Sequence, residues 1–100
     1  MSKINLQTVH FKASETLNQF ITEKVEKLFK INIEIMRADV TLYEGASGNP
    51  QNQFCEIQLS VPGENIFVKK NSDSYEKSIL KSVEAIQKIL RRKKITKSQN

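Results

Sequence analysis

Lys77, Lys81, Lys88 and Arg92 stand at offsets of 0, 4, 11 and 15 along one stretch of chain. At about 100° per residue they fall within roughly 60° of arc, so a helix here carries a stripe of cations down one side. Ammonium and guanidinium groups on a rigid helix make charge-assisted contacts to phosphate oxygens. Such contacts position a protein on a polyanion without reading base sequence. Arg91, Lys93, Lys94 and Lys97 add to the charge. Residues 77–100 hold eight Lys or Arg against one acid, Glu84, while residues 1–76 hold eight bases and ten acids. The net charge of +5 therefore divides into a body of −2 and an end of +7. A basic helix on a nearly neutral body fits nucleic acid as its first candidate partner.

Ordinary helix chemistry explains part of this charge. A run of lysines is commonly just a solvated face, and cations in a last turn complement the helix macrodipole. That reading covers some of residues 91–94 but not Lys77, which lies near the helix start. It also leaves a contrast: the first helical pattern mixes Glu23 and Glu26 with Lys24, Lys27 and Lys30, whereas the second has almost no balancing acids. Base-reading motifs are missing, and the aromatic platform of single-strand binders is thin, with Tyr43 and Phe67 as the outward candidates. Phosphate contacts without base readout favour the shape of a structured RNA over a DNA sequence.

Other chemistry has little support. His10 is the one histidine and sits where a strand edge or surface is expected. Cys55 alternates in phase with Ile57 and Leu59, which reads as a packing cysteine. No Cys/His set has metal-ligand spacing, and Gly45, Gly48 and Gly63 serve turns and do not form a phosphate loop. Asp39, Glu56 and Glu84 are scattered through alternating or helical patterns and read as solvated. The expectation is a protein that is not an enzyme and has no metal, cofactor or small-molecule substrate. A lone cysteine, and no apolar run long enough to cross a bilayer, fit a cytoplasmic protein without a membrane partner.

The elements that must position the stripe follow from periodicity. Ile4 and Leu6, then Val9 and Phe11, read as a strand with a phase shift, accommodated by a bulge near Gln7 and Thr8. Ser14 is a candidate N-cap for a helix over about 15–30, with Leu17, Phe20, Ile21, Val25, Leu28 and Phe29 on one face. Met36, Ala38, Val40 and Leu42 alternate as a half-buried strand, followed by the solvated loop EGASGNPQNQ. Cys55, Ile57, Leu59 and Val61 make a third strand. A turn at Pro62-Gly63-Glu64-Asn65 leads to a fourth, beginning with Ile66 and Val68. Asn71-Ser72-Asp73 offers N-cap chemistry for a second helix, whose apolar residues are Tyr75, Ile79, Val83, Ile86 and Leu90. Past residue 92 apolar support fades apart from Ile95, which predicts a single domain over 1–94 and a basic flexible tail over 95–100. The order β-α-β-β-β-α closes most simply as an α+β two-layer sandwich. Its sheet is four-stranded and mixed, its first two strands are parallel, and both helices lie on one face.

Val9-His10-Phe11-Lys12-Ala13-Ser14, with Leu17, Phe20, Ile21, Lys24, Lys27 and Leu28 after it, resembles the opening of the ribosome hibernation-promoting factors. That family includes the ribosome-associated inhibitor proteins and the sigma-54 modulation proteins. Tyr75-Glu76, Ile79, Val83, Ile86, Lys88, Leu90 and the run Arg91-Arg92-Lys93-Lys94 are similar to its closing helix, and the likeness spans about residues 4–94. The resemblance implies a short-form factor that binds the small ribosomal subunit under stress. It would sit in the channel for messenger RNA and the A- and P-site transfer RNAs, competing with those ligands and with initiation factors. It further implies ribosomal RNA contacts by Lys77, Lys81, Lys88, Arg91, Arg92 and Lys94, joined by Lys24, Lys27 and Lys30 of the first helix. Ile89 departs from the family pattern and either extends the apolar face or meets a partner. Long members carry a further C-terminal domain that dimerises ribosomes, and the sequence stops before one, so dimerisation by this chain alone is not expected. Two other readings stay open: a general double-stranded RNA-binding module, and a protein-interaction regulator of transcription.

Overall fold

A computed structural model describes residues 3–98, with side chains through Arg92. Its elements run β1 (Ile4–Thr8), α1 (Glu15–Ile31), β2 (Arg37–Glu44), β3 (Gln53–Val61), β4 (Glu64–Ser72) and α2 (Tyr75–Ser98). The strands form one sheet in the order β1-β2-β3-β4. β1 pairs parallel with β2 across the α1 crossover, and the remaining neighbours are antiparallel hairpins. This is the mixed α+β sheet that the sequence pattern predicts.

Period-two alternation decides which face is covered. Ala38, Val40 and Leu42 of β2, Cys55, Ile57, Leu59 and Val61 of β3, and Ile66 and Val68 of β4 are buried on one side. They meet Ile21, Val25 and Leu28 of α1 and Ile79, Val83, Ile86 and Leu90 of α2 in a single core. Each large aliphatic side chain fully buried here contributes on the order of 1.5–3 kcal/mol. The opposite sheet face carries Asn5, Asp39, Tyr43, Glu56, Gln58, Phe67 and Lys69, and among the described residues no helix covers it.

Helix α1 starts where Ser14 predicts: its Oγ accepts from the Leu17 N–H at 3.1 Å. Four local expectations change. No bulge lies at Gln7 and Thr8. The strand ends at Thr8, Val9 is 37 % exposed, and His10 turns the chain out of the sheet with φ 65°. The phase shift is thus a chain leaving its strand. Met36 is not in β2; it is 57 % exposed, and Ile35 takes the buried place while the Met36 N–H bonds the Ser60 carbonyl at 2.8 Å. The β3–β4 turn needs only Pro62 and Gly63, because Gly63 takes φ 86° and Val61 already pairs with Glu64. The cap of α2 is Ser74, whose Oγ accepts from the Lys77 N–H at 3.2 Å, since Asn71 and Ser72 still belong to β4.

Helix α2 packs closely on the sheet because its inner face carries small polar residues. Ser78 and Ser82 are fully buried. The Ser78 hydroxyl donates to the carbonyl of Gln53 at 2.5 Å and lies 3.1 Å from that of Ser74, and the Ser82 hydroxyl donates to the carbonyl of Ser78 at 2.9 Å. Each buried oxygen is therefore satisfied. At the first residue of α2 Phe11 stacks on Tyr75, with ring centroids 4.9 Å apart, and ties the β1–α1 connection to the start of the helix. The helix continues through Ser98, further than fading apolar support implies. The side chains from Lys93 onward, and residues 99–100 altogether, lie outside the described residues; the proposed tail falls there.

Candidate polyanion-binding face

Burial of Ile79, Val83, Ile86 and Leu90 fixes the rotation of α2 about its axis, and so sends the cations outward. Lys77, Lys81, Lys88, Arg91 and Arg92 are all exposed. Lys94 lies within the helix, but its side chain is outside the described residues. Lys81, Lys88 and Arg92 line a groove of about 350 Å³ between α2 and β4, together with Glu84, Ala85, Ile89 and Lys70. Lys70 is the residue that sequence reading misses. Its signal is the Lys69-Lys70 pair directly after the apolar run Ile66-Phe67-Val68, and only the packing of α2 beside β4 makes it a neighbour of the stripe. Ile89 is half-buried, packed against the core and lining the same groove.

The cations differ in their surroundings. Lys77 Nζ is 3.1 Å from Asp73 Oδ1, an ion pair one helical turn long, and the Asp73 carboxyl is held below its ordinary pKa chiefly by the hydrogen bond from Lys77. That pair accounts for a lysine near a positively polarised helix end. Lys81 Nζ donates to the Asn71 carbonyl at 3.3 Å, which leans it over β4.

The bases of α1 do not join this groove. Lys24 is half-buried with its Nζ 5.3 Å from the Phe20 ring centroid, a cation–π distance. Lys27 and Lys30 are exposed, and they line a separate depression of about 620 Å³ that also holds Glu15, Glu23 and Glu26. Mixed charge makes that surface a poorer match for phosphate than the α2 groove.

On the open sheet face Tyr43 stacks on Phe54 at 5.1 Å, and its hydroxyl donates to Glu56 Oε2 at 2.7 Å. Burial, then the Glu56 hydrogen bond and charge, push the phenol up to about 12. Phe67 is 55 % exposed. Asp39 is bound by Arg37 at 2.9 Å, and His10 is exposed. Cys55 is buried, and burial pushes its thiol up to about 11, away from nucleophile chemistry. Among the described residues no three His, Cys, Asp or Glu side chains gather as a metal site, and no helix is long and apolar enough to cross a membrane.

The model of the sigma-54 modulation protein / S30EA ribosomal protein family matches residues 4–97. The chain belongs to that family. Its members are ribosome-associated factors and are not known as a family of enzymes. No curated protein matches in sequence. Among solved structures, a ribosomal subunit interface protein from Coxiella burnetii superposes with a TM-score of 0.81 at 16 % identity, covering 93 % of this chain and 98 % of that one. The N-terminal domain of Thermus thermophilus protein Y gives 0.75 at 18 % identity, covering 92 % and 98 %. At such identities the likeness speaks for the fold, whereas the family rests on the sequence match.

Proposed function

We propose that this S30EA-family protein is a cytoplasmic hibernation factor that silences ribosomes by occupying the small-subunit channel for messenger RNA and the A- and P-site transfer RNAs. The observation that carries the reading is the α2 groove, where Lys70, Lys81, Lys88 and Arg92 converge with Glu84 as the one acid. Four cations on a rigid helix and an adjoining strand make a phosphate-binding surface that is already formed before binding. Lys77 and Arg91 extend it along α2, Lys94 belongs to the same set of proposed contacts, and Lys24, Lys27 and Lys30 of α1 give secondary contacts. Bound there, the folded domain excludes messenger RNA, transfer RNA and initiation factors by volume, so no catalytic group is needed.

The test is co-sedimentation with purified small subunits at two salt concentrations, with transfer RNA as competitor. Binding is expected to fall steeply as salt rises, because each neutralised phosphate releases counterions, and transfer RNA is expected to displace the protein. Protein left at the top of a low-salt gradient would sink the proposal. Naked duplex RNA competing as well as ribosomes do would turn it into a general RNA-binding module.

A further inference from the structure

β4 is the long outer edge of the sheet, and the hydrogen-bond phase of its neighbours determines which of its backbone groups look outward. The Gly45 N–H donates to the Asn52 carbonyl at 2.6 Å. Tyr43–Phe54, Thr41–Glu56 and Asp39–Gln58 lie at two-residue steps along the same ladder, so they are the pairs that exchange hydrogen bonds. The backbone groups of Cys55, Ile57 and Leu59 then point the other way, toward their β4 partners Lys70, Val68 and Ile66. By the same alternation Asn65, Phe67, Lys69 and Asn71 turn N–H and C=O away from the sheet. The Lys81 ammonium reaching the Asn71 carbonyl from α2 agrees with that phase. Helix α2 covers the inner face of β4 and leaves the row from Asn65 to Lys69 as a template for another strand.

The two sides of this edge have different chemistry. On the helix side lies the basic groove with Lys70, Lys81, Lys88 and Arg92. On the open side Phe67 presents a ring 55 % exposed. Successive side chains of an added strand point to opposite faces, so one set would meet the cations and the other the ring. We propose that the outer edge of β4 binds an acidic, extended polypeptide segment. The segment adds as a fifth strand, carboxylates toward Lys70, Lys81 and Lys88, and apolar alternate side chains against Phe67. A second copy of this chain fits less well, because its own β4 and α2 would bring like charge to the same groove. A nucleic acid can fill the groove but has no backbone to continue the ladder.

The probe is a fluorescein-labelled peptide of alternating Glu and Val, followed by anisotropy and by amide chemical shifts of the intact protein. Its control is the same peptide with alternate backbone nitrogens methylated, which keeps the charge and loses the pairing. The expected result is binding by the first peptide, at least roughly tenfold weaker binding by the second, and shifts concentrated at Asn65, Phe67 and Lys69. Phe67→Pro removes an outward N–H while sparing the β3–β4 hydrogen bonds, and should weaken binding by a similar factor. Lys70→Glu should weaken it as well. Equal binding of the methylated peptide would reduce the contact to unspecific charge and overturn the proposal, even if Phe67→Pro failed to fold. No binding at ~1 mM peptide would also overturn it, as would self-association through β4 that Phe67→Pro abolishes.

Discussion

Lys77 and Lys88 are equivalent on a helical wheel, yet their surroundings differ. Lys77 is already paired with Asp73 at 3.1 Å, and a phosphate that recruits it must compete with that carboxylate. Lys88 lines the groove with Lys70 and Arg92. Exposed ion pairs are weak, so the difference is graded. Lys88→Glu should weaken small-subunit binding several-fold more than Lys77→Glu in matched low-salt sedimentation, with both melting temperatures near that of the parent. Equal losses would mean that total charge matters and placement does not. Gly45 is a separate case. A Cβ there would stand 2.6 Å from Phe54 Cε1. The ring or the backbone must then shift against its neighbours, and Gly45→Ala should cost about 1–3 kcal/mol in urea unfolding.

At the scale of the element, α2 does two jobs with its two faces. Its inner serines let it sit close to the sheet, and burial of Ile79, Val83, Ile86 and Leu90 aims the cations outward. Ser78 is the clearest link, since its hydroxyl bonds the Gln53 carbonyl at the start of β3. Ser78→Ala should destabilise the fold by about 1 kcal/mol, read as a lowered urea midpoint with an unchanged slope. Residues such as Ile79, Val83 and Ile86 announce the buried stripe by spacing alone. The serines do not, because an isolated serine in a helix is read as surface until the sheet is seen beneath it. The Met36 and Ile35 exchange has a similar cause: alternation extrapolates smoothly through Met36, while the chain leaving α1 enters the sheet one residue out of phase.

For the whole molecule, the core sets an alkaline limit. Burial pushes the Cys55 thiol up to about 11 from 9.0, with the charge of Glu56 adding and the Ser82 hydroxyl opposing. A raised folded-state pKa means that the unfolded chain loses its proton first. The contribution is therefore complete below about pH 9 and is lost as pH rises toward the folded value. Stability in urea should fall between about pH 9 and pH 11, and the fall should be shallower in Cys55→Ala. Tyr43, pushed up to about 12, would extend the decline. A pH profile unchanged by Cys55→Ala would contradict the assignment to the thiol. Iodoacetamide should label Cys55 only in denaturant.

The sequence by itself determined the elements, the inner face of each and the helical stripe of cations. These depend on local periodicity, which survives without knowledge of the neighbours. The run of family-like residues from Val9 to Ser14 and along α2 also lay in the sequence, within the span 4–97 that the family model matches. Tertiary structure decided which cations share a surface. Lys70 and Lys88 are distant in sequence and from different elements, and only the packing of α2 beside β4 puts them in one groove. Lys27 and Lys30 have the same charge but line a depression among acids, because their helix presents a different side to solvent. Charge is a property of the residue, whereas a binding surface is a sum over neighbours that the chain brings together only by folding.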